Sequence, residues 1–120
     1  MTIKLFDSEL KVMDVLWKEE KDVTAKQLVE ILREQVGWNK NTTYTVIKKC
    51  IDKGAVQRLE PHFICRALIS KEQVQEQETA ELIDKVFDGS VDLLFASLLS
   101  REKLSPDEIE KLKRIVGDLQ

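Results

Sequence analysis

Residues 38–56, WNKNTTYTVIKKCIDKGAV, read as one helix held between a capping residue and a glycine stop. Asn39 can cap the start, because its side-chain oxygen accepts a free backbone N–H of the first turn, and Gly54 can end the helix in a left-handed conformation. Spacing the residues at about 100° puts Thr43, Val46, Ile47, Cys50 and Ile51 on one side, the apolar stripe of a half-buried helix. The opposite side carries Asn41, Thr45 and Lys48, flanked by Thr42, Tyr44 and Lys49, with an acid only at Asp52 near the far end. Such a face suits a DNA groove: lysine neutralises phosphate, asparagine can bond an adenine edge, and threonine can pack on a thymine methyl. The same groups on an ordinary helix would simply be solvated. The flanking chain decides between the two.

Upstream, Asp7 or Ser8 can cap a first helix over residues 7–18, in which Leu10, Met13, Leu16 and Trp17 follow helical spacing and Trp17 is expected in the core. KEEKD (residues 18–22) breaks that pattern as an exposed turn, and Val23 enters either as a short strand or as a staple before the next cap. Thr24 and Gln27 form a T-x-x-Q capping box for a second helix to about Gln35 that buries Leu28, Ile31 and Leu32. Gly37 and Trp38 lead into the third. Three short helices with brief turns follow the helix-turn-helix plan.

Downstream, residues 55–59 and 63–68 are extended candidates separated by a turn containing Pro61 and the lone histidine, His62, which is expected in an exposed loop rather than as a base. A hairpin of this size is marginal alone and must lean on the helices, so it reads as a wing. Arg58 and Arg66 are then candidate phosphate contacts, a reading that Glu60 at the tip opposes.

From Ser70 the pattern is helical again: S-K-E-Q (70–73) is a second capping box, Gly89 ends that helix, and Ser90 can cap the next. Residues 91–99 hold Leu93, Leu94, Phe95, Leu98 and Leu99, more apolar surface than so short a helix can hide among its neighbours. Ser105, Pro106 and Glu108 start a last helix that buries Ile109, Leu112, Ile115, Val116 and Leu119. Three helices over about 50 residues fall below the usual size for independent folding, and their apolar excess calls for a second copy of the chain.

With 120 residues, 42% apolar and 34% charged, the chain has room for one ordinary domain or two small ones sharing a core. No apolar run approaches a membrane span and no signal-peptide pattern opens the chain, so a cytoplasmic location without membrane insertion is expected. A net charge of −3 and a pI near 5.3 argue at face value against nucleic acid. The distribution reverses that argument. Residues 38–58 hold Lys40, Lys48, Lys49, Lys53 and Arg58 against Asp52 alone, a surplus of four, whereas residues 70–120 hold 7 basic against 12 acidic side chains. Cys50 and Cys65 lack a Cys-x-x-Cys spacing and are expected as small buried hydrophobes. There is no glycine-rich phosphate loop, Ser/His/Asp set or His-x-x-x-His spacing, so no enzyme, cofactor or metal site is expected.

Five segments in order carry a resemblance: ELKVMDVLW (9–17), VTAKQLVEIL (23–32), W-N-x-x-T-T-x-T-V-I-K-K (38–49) followed by KG (53–54), VFDGSVDLLFASLL (86–99) and LSPDEIEKLKRIV (104–116). Together they make the chain resemble the penicillinase and methicillin-resistance repressor family, which includes copper-responsive repressors. The resemblance implies a homodimeric winged-helix repressor that binds inverted repeats through the third helix and dimerises through the C-terminal helices. Departures stand at Asn39, where the family usually has serine, at Thr43, usually aliphatic, and at Lys49 and Cys50, usually arginine and leucine. In the antibiotic-responsive branch a membrane-linked protease, a partner the resemblance thus brings in, cuts an asparagine-phenylalanine bond; Ser97 and Leu98 align there. The copper branch carries C-terminal Cys-x-Cys motifs, and none occurs in these residues.

The expected fold is mainly α: a winged helix-turn-helix over residues 1–69, with three helices and a small antiparallel sheet of two or three strands, then a three-helix dimerisation domain over 70–120. Asn41, Thr42, Tyr44 and Thr45 are expected to read bases of operator DNA, and Lys40, Lys48, Lys49, Arg58 and Arg66 to hold phosphates. Val86, Phe87, Leu94, Phe95, Leu98, Leu99, Ile109, Leu112, Ile115 and Val116 are expected between two copies. A winged-helix adaptor that binds protein and no DNA is the competing reading. Salt titration of duplex binding separates the two, because several phosphate contacts make affinity fall steeply with salt.

Overall fold

The computed structural model describes residues 3–100 and 105–118, except the side chains of residues 112 and 115–118. Two compact units divide the chain, one ending at Glu76 and the other beginning at Gln77.

In the first unit, helix α1 (Asp7–Glu19) buries Val12, Met13, Val15 and Leu16. Its start differs from expectation, since neither Asp7 nor Ser8 caps it. The Glu9 carboxylate reaches back instead and accepts the N–H of Phe6 at 2.8 Å, which satisfies a donor no helical carbonyl can reach. Trp17 is half-buried rather than fully in the core, because its indole N–H donates to the Ile69 carbonyl at 3.0 Å.

Strand β1 (Val23–Thr24) leads directly into α2 (Ala25–Val36). The expected capping box is formed: Gln27 N–H donates to Thr24 Oγ1 at 3.1 Å and Thr24 N–H to Gln27 Oε1 at 2.9 Å. Leu28, Val29 and Leu32 are buried, Ile31 only in part, and Gly37 ends the helix at φ 74°. Helix α3 (Lys40–Asp52) follows, then β2 (Val56–Leu59) and β3 (Ile64–Ala67).

The sheet has the order β1-β3-β2 and is antiparallel throughout. Val23 pairs with Cys65 and Leu59 with Ile64, so the hairpin is fastened at its middle strand to the start of α2. Both hairpin strands are shorter than expected. Phe63 takes a left-handed φ of 52° in the turn, a conformation that cannot extend a strand. His62, exposed with φ 73°, sits in the same turn, as a loop histidine should.

Helix α4 (Lys71–Val86) begins with the second capping box, in which Gln73 N–H donates to Ser70 Oγ at 3.0 Å. Val74, 6% exposed, belongs to the first unit's core, so the boundary between units falls inside α4 rather than before it.

The second unit contains the rest of α4, α5 (Val91–Leu99) and α6 (Pro106–Asp118). Ser90 caps α5 through Leu93 N–H at 3.2 Å, and Ser105 caps α6 through Glu108 N–H at 3.2 Å. No described side chain from Gln77 onward is buried. Val86 is 63% exposed and Leu93 49%, so the apolar excess anticipated from the sequence lies open to solvent in the single chain. Phe87, Leu94, Phe95, Leu98 and Ile109 are partly exposed, and Leu99 is exposed. The side chains of Leu112, Ile115 and Val116, and residue Leu119, lie outside the described residues.

Candidate nucleic-acid interface

The third helix is set by local chemistry at both ends. Thr42 N–H donates to Asn39 Oδ1 at 2.8 Å, and at the other end Gly54, at φ 83°, lets Ala55 N–H return to the Cys50 carbonyl at 2.9 Å. Between those ends Thr43, Val46, Ile47 and Cys50 are buried. Asn41, Thr42, Thr45, Lys48 and Lys49 are exposed, as is Lys40. Thr45 donates its hydroxyl to the Asn41 carbonyl at 2.8 Å, so the methyl is the group of its side chain left free.

The flanks of α3 differ. On one, Tyr44 is half-buried and meets the wing edge-on, its ring 5.8 Å from that of Phe63 at 64°, while Lys40 Nζ lies 5.9 Å from the Tyr44 centroid. On the other, Lys53 turns away from solvent and forms an ion pair with Glu9, which is 1% exposed. Lys53 also donates to the Lys4 carbonyl at 2.7 Å and lies 4.1 Å from the Phe6 ring. Burial pushes the Glu9 carboxyl up, but the hydrogen bonds from Lys53 and Phe6 and the charges of Lys53 and Lys49 outweigh it and hold the group below its ordinary 4.5.

Not every cation of the basic segment therefore faces outward. Arg58 donates to Glu60 at 2.6 Å and stacks 3.8 Å from the Phe63 centroid. Arg66 grips Asp22 with two hydrogen bonds of 3.0 and 2.7 Å. These bonds hold the Asp22 carboxyl below its usual range and raise Arg66. Among the described residues Lys40, Lys48 and Lys49 make no ion pair, and they are the cations left on the open side of the helix.

Glu9 escaped notice in the sequence, although a signal was present: it lies on the same helical stripe as Val12, Met13 and Leu16, and a lone acid on an apolar stripe needs a cation. Both cysteines are fully buried; burial pushes the Cys50 thiol up to about 12 and that of Cys65 to about 11, so each stays protonated among apolar neighbours. Among the described residues no group of three or more His, Cys, Asp or Glu could hold a metal, and no helix is long and apolar enough to cross a membrane.

Three helices closed by a three-stranded sheet, with the third helix presenting an amide, hydroxyl and ammonium face, define a winged helix-turn-helix protein. The profile of the family described as Penicillinase repressor matches residues 5–118, and the chain belongs to that family. The methicillin resistance regulatory protein MecI of Staphylococcus aureus (strain N315) is 27% identical over 118 residues, covering 97% of this chain and 95% of its own length. The penicillinase repressor of Bacillus licheniformis is 24% identical over 117 residues, covering 96% and 91%. Among solved structures, the DNA binding domain of the repressor BlaI, determined in solution, superimposes with a TM-score of 0.54 at 25% identity, over 59% of this chain and 88% of that domain.

Proposed function

We propose that this chain is a homodimeric, sequence-specific transcriptional repressor that works in the cytoplasm and occupies an inverted-repeat operator through α3. The observation that carries the reading is the open face of α3, where three cations without acidic partners border an amide and a threonine methyl. Asn41, Thr42 and Thr45 read base edges, and Tyr44, wedged between α3 and the wing, brings its hydroxyl to the groove margin. Lys40, Lys48 and Lys49 hold phosphates. Arg58 and Arg66, already bonded to Glu60 and Asp22, brace the wing. The family, and a solved relative whose title names a DNA binding domain, support the same reading.

The second unit joins two copies through the exposed and half-exposed apolar residues of α4, α5 and α6. Ser97 and Leu98 lie near the end of α5, so a cut there by a membrane-linked protease would remove α6 from the chain and part of the contact between copies.

Thr45→Ala and Asn41→Ala are expected to lower discrimination by about 1–3 kcal/mol, each at one base position per half-site, whereas Lys48→Ala weakens binding to all sequences alike. Binding of the variants to duplexes selected from random sequence, and to single-base variants of those duplexes, measures both effects. If Thr45→Ala lost affinity equally for every duplex, its place at a base would be wrong.

A further inference from the structure

Beside the open face of α3 lies a feature that the helix's own residues do not explain. Between α2 and α3 runs a cleft of about 450 Å³ lined by Lys26, Val29, Glu30, Arg33, Lys40 and Tyr44. Lys26, Glu30 and Arg33 recur at helical spacing along one side of α2, and Lys40 and Tyr44 one turn apart on α3. Val29 is buried and Tyr44 half-buried, which gives the cleft a partly apolar floor, while all three cations are exposed. Among the described residues none of those cations is in an ion pair, so the cleft holds three positive charges against Glu30 alone.

A helix lying in a major groove about 12 Å wide has a phosphate backbone along each flank. On the α1 side of α3, Lys49 is the cation available, because Lys53 is held by Glu9. On the other side the cleft supplies Lys40 from α3 together with Lys26 and Arg33 from α2. We infer that this cleft is a phosphate-binding site, and that Lys26 and Arg33 of α2 seat a backbone phosphate of the bound duplex alongside Lys40. The inference rests on the proposed DNA-binding function and adds a second helix to the interface. Arg33 can meet a phosphate with two parallel N–H donors, and Lys26 acts as a point charge beside it. Glu30 opposes the phosphate and limits affinity.

The test compares wild type, Lys26→Ala, Arg33→Ala and Glu30→Gln by binding to one selected duplex between 50 and 200 mM salt. Each lost cation should flatten the slope of log affinity against log salt by about 0.9 per phosphate contact removed. Glu30→Gln should tighten binding several-fold, a gain that damage to the fold would not produce. Failure of wild type to bind any duplex would overturn the proposed function itself. Wild-type binding with unchanged slopes in both alanine variants would overturn the cleft assignment alone. Calorimetric titration of the DNA-free protein with inorganic pyrophosphate separates the two sources of phosphate. Saturable pyrophosphate binding that Arg33→Ala abolishes, with duplex slopes unchanged, would give the cleft to a free phosphorylated ligand and overturn the backbone assignment. Flattened slopes without saturable pyrophosphate binding support it.

Discussion

Lys53→Met is expected to cost about 3–5 kcal/mol of folding stability, because it strips the cation from a carboxylate with almost no access to water. Glu9 is 1% exposed, and its other close donor is the single N–H of Phe6. Urea unfolding followed by circular dichroism measures the loss, and a change below about 1 kcal/mol would show that water reaches the carboxylate. Replacing both partners, Glu9→Met with Lys53→Met, should recover much of the deficit, since apolar groups of similar volume often match a buried pair.

The pH dependence has a definite sign. In the wild type the Glu9 carboxyl lies below its unfolded value of about 4.5, so its contribution is present above that value and fades as pH falls through the folded one. In Lys53→Met burial acts with less opposition and raises the carboxyl, so protonation relieves the penalty. The gap in stability between the two proteins should be widest near neutrality and narrow on acidification. Because the pair ties the end of α3 to α1, the variant should also bind DNA more weakly at temperatures where it remains folded.

Leu98→Asp is expected to separate the two copies and, with them, to abolish tight operator binding. Leu98 is half-buried on α5, in a unit whose described side chains are nowhere fully buried in the single chain. A charge desolvated between copies costs roughly 3 kcal/mol or more, over a hundredfold in the dimer equilibrium. One head contacts few phosphates and bases, so affinity depends on the second head being supplied at high effective concentration. Analytical ultracentrifugation beside duplex binding reads both steps. The heads should stay folded, since Leu98 lies outside their compact unit. A variant that sediments as a dimer and binds normally would remove the tail from the account.

The helices were legible because their signals are local. Thr24 with Gln27, Asn39, Ser70 with Gln73, Ser90 and Ser105 each cap a helix through a backbone N–H within three residues, and a sequence displays such spacings directly. The open face of α3 was legible for the same reason, since 100° spacing separates Thr43, Val46, Ile47 and Cys50 from Asn41, Thr45 and Lys48. What stayed hidden was pairing at a distance. Composition counts Lys53, Arg58 and Arg66 as free cations, whereas the fold spends them on Glu9, Glu60 and Asp22. Arg66 and Asp22 are 44 residues apart, and only the pairing of β1 with β3 brings them together. The cleft of Lys26, Arg33 and Lys40 was equally invisible, because it exists only once α2 packs beside α3.

The most direct test of the central claim is the affinity of the wild-type protein for a selected duplex, measured between 50 and 200 mM salt. If α3 lies in the groove of a duplex held by two heads, three lysines on each α3 neutralise phosphates and log affinity falls steeply with log salt, by about 0.9 for each contact. Changing Lys40, Lys48 and Lys49 together to alanine should then take away most of that slope. An affinity that does not change with salt, or a slope that survives the triple substitution, would contradict the account.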